Sequence, residues 1–170
     1  MNVAGQQPTP SAIDASHLRF AIVVSRFNGF VTDRLRDGAL AALHEAGAAE
    51  RNIQVIAVPG AFEIPQAARV AAETGRFDAI VCLGCLIRGE TPHFDYIASA
   101  TAHGITAAAG DTGVPMAFGV LTTNTFDQAT ARAGDGPDNK GREAAAAAIE
   151  MAALYKALTG TAPRPFGFRA

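Results

Sequence analysis

Short apolar runs alternate with stretches whose apolar residues recur every three or four positions, from about residue 20 to residue 158. Phe20 to Ser25 (FAIVVS) is rich in β-branched residues and predicts a buried strand. Thr32 or Asp33 can cap a following helix, in which Leu35, Ala39, Leu43 and Ala46 share a face and which Gly47 stops. Ile53 to Val58 predicts the second strand, closed by Pro59-Gly60. A helix follows from about Phe62, with Ile64, Ala67, Ala68 and Ala71 on one face, and ends at Gly75. Ala79 to Leu83, running on to Ile87, predicts the third strand, and the polar loop Arg88-Gly89-Glu90-Thr91-Pro92 leaves it. The next helix is expected from near His93 to about Ala109, with Thr91 at N-cap and Pro92 at N1. Pro115 to Leu121 predicts a fourth strand and Thr125 to Ala133 a short helix. The loop Gly134 to Asn139 precedes an alanine-rich last helix, about Gly141 to Leu158.

Continuous apolar strands alternating with helices argue for a parallel sheet covered on both faces. Right-handed crossovers then predict an α/β fold: a three-layer α/β/α sandwich of flavodoxin-like type with a four-stranded, mainly parallel sheet. One domain is expected over residues 18–159. An N-terminal arm, residues 1–17, either stays loose or lends an extra strand to a sheet, and a proline-containing tail covers residues 160–170.

Composition narrows the function classes. At 170 residues, 49% hydrophobic and 18% charged, the chain is ordinary globular material with enough length for its own core. The net charge of −2 and the absence of a basic tract argue against nucleic acid. No apolar run is long enough to span a bilayer, and the first residues lack the pattern of a signal peptide, so the expected location is cytoplasmic. Cys82 and Cys85 form a lone CxxC inside a β-like run, whereas a redox pair belongs at a helix start and a zinc site needs further ligands. They read as reduced core thiols, and no metal site is expected.

The unusual residues fall where the strands end, and ligands of open parallel sheets bind beyond those carboxyl ends. Strand one is followed by Arg26-Phe27-Asn28, strand two by Pro59-Gly60-Ala61-Phe62-Glu63, strand three by Arg88 to His93, and strand four by Thr122 to Thr125. Phe27, an aromatic in a polar turn, suits stacking on a flat ring or a place in the core. Glu63 is favoured by a helix dipole with or without a ligand. A first-turn histidine at 93 is either a neutral base, kept so by the positive dipole end, or a capping residue. Backbone N–H groups before that helix could receive an anion, and Arg132 could add a fixed charge or simply be solvated. His17, His44 and His103 lack such company and read as structural or solvated. No Walker loop or GxGxxG is present.

Four segments, Arg26-Phe27-Asn28, PGAFEIP (Pro59 to Pro65), GCLIRGETPHFDYI (Gly84 to Ile97) and FGVLTT (Phe118 to Thr123), occur in order with natural spacing. Together they resemble the lumazine synthase family of riboflavin biosynthesis, over about Phe20 to Leu158. The resemblance implies condensation of 5-amino-6-ribitylamino-uracil with 3,4-dihydroxy-2-butanone 4-phosphate to 6,7-dimethyl-8-ribityllumazine, releasing phosphate and water, without cofactor. It implies that Phe27 stacks on the pyrimidine, that Ala61, Phe62 and Glu63 hold the ribityl chain and ring edge, and that Cys85, Leu86 and Ile87 line the pocket. Phe118 and Arg132 would come from an adjacent subunit, with Lys140 near the same pocket. Glu90, Thr91 and Arg132 would receive phosphate, and His93 would move protons. A homo-oligomer is implied, built of pentamers standing alone, paired into decamers or closed into a 60-subunit shell, with riboflavin synthase as a candidate partner. The alternative is a catalytically weak flavin- or lumazine-binding or shell protein of the same descent. One departure is visible: the family often reads GTKAGNKG where this chain has Gly134-Asp135-Gly136-Pro137-Asp138-Asn139-Lys140-Gly141, without the lysine.

Overall fold

The structure is a computed structural model that describes residues 13–160. Four strands, β1 (Phe20–Ser25), β2 (Ile53–Val58), β3 (Ala79–Ile87) and β4 (Met116–Thr123), form one sheet in the order β2-β1-β3-β4, every pair parallel. Five helices connect and cover them: α1 (Gly29–Glu45), α2 (Ile64–Glu73), α3 (His93–Thr112), α4 (Phe126–Arg132) and α5 (Lys140–Thr159).

Alternate residues of the central strands serve opposite layers, as period-two geometry requires. Phe20, Ile22 and Val24 of β1 and Val81, Leu83 and Cys85 of β3 pack in one core with Leu35 and Leu43 of α1 and Ala145 and Ile149 of α5. Ala21, Val23, Ile80 and Cys82 pack in the other with Ile64 and Ala68 of α2 and Ile105 of α3. The three-layer α/β/α expectation is therefore met, with α1, α4 and α5 on one face and α2 and α3 on the other.

The strand order places the topological switch between β1 and β3. The chain leaves β1 for β2 on one side and returns past β1 to β3 on the other. β1 pairs with β3 only from Phe20↔Ala79 to Val24↔Leu83, so β3 runs on to Ile87 without β1 beside it. On its other side β3 stays paired with β4 up to Ile87↔Thr123. The sheet thus ends in a step, with one free backbone edge of β3 facing the loop after β1.

Strand positions agree with the sequence reading, except that β4 starts one residue later and runs two further, to Thr123. Helix starts differ more. α1 begins at Gly29 rather than at a Thr32 or Asp33 cap, because Asn28 takes a left-handed conformation and its carbonyl accepts from Val31 and Thr32 N–H. A short 3-10 turn, Ala61–Glu63, precedes α2. Pro92 is the N-cap of α3 instead of N1, with its carbonyl accepting from Asp95 N–H, so Thr91 lies in the loop and caps nothing.

Asn139 fixes the start of α5. Its Oδ1 accepts from Gly141 N–H (2.8 Å) and Arg142 N–H (3.2 Å), and its Nδ2 donates to Arg34 O (3.1 Å) and Gly134 O (3.0 Å). One buried amide thereby caps α5 and ties it to α1 and to the loop before it. In that loop Gly136 sits at φ +123°, a conformation open to glycine and strained for a lysine. Of the segment expected as an arm, the inner end, residues 13–17, lies against the end of α1, where Ala15 is buried and its N–H bonds Ala46 O. The expectations for residues 1–12 and 161–170 fall outside the described residues. Among the described residues no helix is long and apolar enough to cross a membrane.

Candidate active site

The loop after β1 is laced to the end of β2: Arg26 N–H donates to Val58 O (2.8 Å) and Phe27 N–H to Pro59 O (3.1 Å). With both backbone groups committed inward, the Phe27 ring projects and is 66% exposed. An aromatic ring held out by its own backbone is available to stack on a flat partner. Across the step, Asn28 Nδ2 donates to Cys85 O at 2.9 Å, next to the backbone groups of Ile87 on the same open side, while Leu86 between them turns its backbone to β4. Phe62, in the turn after β2, is also exposed, whereas Ala61 is buried and its carbonyl accepts from Thr101 Oγ1 (3.2 Å). Glu63 folds back so that Oε2 accepts from Gly60 N–H (2.9 Å). That bond fixes the carboxylate, and a carboxylate with two oxygens keeps acceptor capacity for a hydroxyl. Phe27, Ala61, Phe62, Glu63, Cys85, Leu86 and Ile87 are thus gathered at the carboxyl ends of β1, β2 and β3.

Glu90 and Thr91 are exposed in the loop from β3 to α3, and His93 is the exposed first residue of α3. Arg88 holds this loop. Its guanidinium grips Asp95 in the first turn of α3 through Nη1 to Oδ2 (3.0 Å) and Nη2 to Oδ1 (2.8 Å). It also donates from Nε to Asn124 Oδ1 (3.2 Å) and covers the Phe94 ring at 4.3 Å. The bonded guanidinium holds the Asp95 carboxyl below its ordinary range, so the clamp stays charged well into acid. His93 is thereby carried on a turn tied to both β3 and the end of β4.

Phe118, Arg132 and Lys140 lie elsewhere. Phe118 pairs with Cys82, three residues before Cys85 and so about 10 Å back along the strand, on the open edge of β4. It lines an open cavity of about 380 Å³ together with Leu121, Thr122, Arg132, Lys140 and Glu143. Lys140 Nζ pairs with Glu143 Oε1 at 2.6 Å, and Arg132 Nη1 donates to Gln128 O at 3.0 Å. One chain therefore presents two separate surfaces: an aromatic and backbone-lined cleft at the switch point, and a Phe118-bearing cavity with Arg132 and Lys140 at the sheet edge.

Both cysteines are buried and free, and burial pushes the Cys82 thiol up to about 12 and the Cys85 thiol up to about 11. Thiolate is the reactive form, so both should be inert at pH 8. The expected result with a disulfide titrant is negligible labelling of native protein and two thiols released in denaturant; rapid native labelling would contradict this burial. His44 bonds Ala48 O and pairs with Glu50, and His103 bonds Ser99 O, in keeping with structural roles. Among the described residues no cluster of three His, Cys, Asp or Glu could hold a metal ion.

Sequence reasoning gave no role to Asn28, Arg88, Asp95 or Asn139. Arg88 and Asp95 are seven residues apart across a loop, a spacing that no single helix or strand brings together. Asn28 carried a usable signal, an asparagine in the short turn after a strand, where left-handed conformations favour that residue.

A family model described as 6,7-dimethyl-8-ribityllumazine synthase matches residues 17–156 of this chain. A protein named 6,7-dimethyl-8-ribityllumazine synthase from Syntrophus aciditrophicus (strain SB) is 52% identical over 148 residues, covering 87% of this chain and 96% of that protein. The parallel sheet, the aromatic cleft at its switch point and a likeness that spans almost the whole domain lead to one conclusion: the chain belongs to the 6,7-dimethyl-8-ribityllumazine synthase family.

Proposed function

We propose that the switch-point cleft of one copy and the edge cavity of a neighbouring copy together form each active site, with His93 as the proton carrier. As a member of its family the chain is a transferase of riboflavin biosynthesis. It joins 5-amino-6-ribitylamino-uracil to 3,4-dihydroxy-2-butanone 4-phosphate, giving 6,7-dimethyl-8-ribityllumazine, phosphate and water.

The observation that carries the site reading is the step in the sheet. Beyond Val24↔Leu83 β3 has no partner strand on its β1 side, where the loop carrying the exposed Phe27 follows β1. A pyrimidine stacked on Phe27 can use its edge on the backbone of Ile87, where a next strand would have bonded. Glu63 and the turn Ala61–Glu63 lie at the end of β2, placed to take ribityl hydroxyls. Glu90 and Thr91, on the loop at the start of α3, receive the phosphate of the four-carbon substrate, and Arg132 of the neighbouring copy supplies the countercharge.

The 5-amino group attacks the ketone and loses water to give an imine. Phosphate then leaves with its C–O bond electrons after a proton is removed from the adjacent carbon. The elimination leaves an enol, whose terminal carbon takes up a proton to give a new ketone and methyl group; the ribitylamine nitrogen then closes the second ring onto that ketone with loss of a second water. Each stage moves protons, which one imidazole can accept and return. Holding both substrates in one cleft supplies much of the remaining acceleration.

Phe118, Arg132 and Lys140 line a cavity at the sheet edge that none of the switch-point residues borders, which supports a homo-oligomer with shared sites. The pentamer is the building block we assign, in one domain spanning residues 18–159. Two free thiols accord with a cytoplasmic location. The test is an assay with both substrates that follows lumazine absorbance and released phosphate. One phosphate per lumazine formed is expected; tight binding of a ribitylated pyrimidine or a flavin without turnover would instead make the chain a binding protein.

A further inference from the structure

We infer that Asn28 is a positioning residue that sets the ring-stacking face of Phe27 against the free edge of β3. The inference rests on the reading that this cleft holds the pyrimidine, and it deepens that reading by assigning what fixes the ring's register.

Two independent observations meet at Asn28. Its backbone lies at φ 58°, ψ 42°, and among the described residues it is the only non-glycine with positive φ. Its side chain also makes the one bond in the described residues that spans the step, from Nδ2 to Cys85 O at 2.9 Å, linking positions 57 residues apart. The backbone conformation alone would be met at least as well by glycine. Asparagine therefore adds something glycine lacks, the amide that reaches β3. Left-handed residues held by their surroundings concentrate where geometry serves function.

The amide acts as a last rung of sheet. β1 stops pairing at Val24, and Asn28 Nδ2 then satisfies the carbonyl of Cys85 that a longer β1 would have bonded. This has two consequences. Phe27 is gripped on both sides, by its own N–H on Pro59 O toward β2 and by its neighbour's amide toward β3, so the distance between ring and strand edge is fixed. And because Cys85 O is already taken and Leu86 turns its backbone groups toward β4, the next groups open on this edge are those of Ile87, which sets where along β3 the pyrimidine edge can bond.

The variants Asn28→Asp and Asn28→Gly separate the two features. Aspartate keeps the size and tolerance for the left-handed region but sets a carboxylate oxygen against Cys85 O; glycine keeps the turn and removes the tether. Assembled enzyme is assayed with each substrate varied in turn, alongside calorimetric titration with the ribitylaminouracil. Asn28→Asp is expected to raise both KM and Kd for the pyrimidine roughly 10-fold or more, and Asn28→Gly to raise them by a smaller factor. In both, kcat and the KM of the phosphate substrate stay within about twofold of wild type, a split that general loss of folding would not produce. Unchanged pyrimidine KM and Kd in both variants would overturn the inference, as would an equal fall in every parameter accompanied by a lowered melting temperature. Wild-type protein that binds the pyrimidine without turnover would defeat the synthase reading alone, because the Kd comparison still decides the role of Asn28.

Discussion

Gly141→Ala is expected to cost about 3 kcal/mol or more and to lower the melting midpoint by roughly 10 °C, with much of the expressed chain failing to assemble. A β-carbon on Gly141 would lie 1.9 Å from Leu35 O, 2.6 Å from Leu35 C and 2.8 Å from its Cα. All three are backbone atoms of α1, so no side chain can swing aside. The neighbouring contact is also tight from the other direction: a β-carbon on Gly38 would meet the capping side-chain oxygen Asn139 Oδ1 at 2.3 Å. Helices α1 and α5 therefore touch backbone to backbone at this crossing, and only their separation relieves the clash. Separation would break the bond from Asn139 to Arg34 O and displace Lys140, which begins α5, from the edge cavity. Since folded chains are stable by only about 5–15 kcal/mol, such a loss is a large share of the whole. Thermal unfolding with size measurement checks it, and a variant melting within a few degrees of wild type would show that α1 and α5 are not packed as described.

The second large effect is chemical. His93→Ala should lower kcat roughly 10- to 100-fold and leave the melting temperature unchanged, which is at or below the low end of the usual span for general acid–base catalysis. The side chain is exposed, so its removal opens no core cavity. The turn that carries it is held by Arg88 on Asp95 and Asn124 and does not depend on the ring. What remains in the variant is the positioning of both substrates, which keeps the loss partial. Steady-state kinetics with both substrates saturating measures it; undiminished kcat would remove His93 from proton transfer.

The strands, and the covering of both sheet faces by helices, were legible because burial on both faces leaves runs such as FAIVVS and AIVCLGCLI almost continuously apolar. Helix beginnings were less legible. Thr32 and Asp33 looked like caps by residue type, yet α1 starts at Gly29 through the left-handed Asn28, whose amide is bonded to a strand 57 residues away. Local preference carries no trace of such a partner. The same holds for Pro92, which takes the N-cap position while Arg88 reaches around the loop to Asp95. Of the candidate site, the residues at strand ends were recoverable from the rule that ligands sit beyond those ends. Phe118 was not recoverable that way, since it lies mid-strand opposite Cys82 and becomes exposed only because β4 is the sheet edge. It entered through the family resemblance, and the fold supplies its physical setting.

Division of each site between copies is the central claim, and mixed assembly tests it most directly. His93→Ala chains keep Arg132, and Arg132→Ala chains keep His93, so neither parent has an intact site. If the cleft of one copy is completed by the edge cavity of the next, random co-assembly restores both groups at about one site in four, and activity rises well above that of either parent. If Arg132 serves the cleft of its own chain, every site in the mixture lacks one group, and activity never exceeds the average of the two parents.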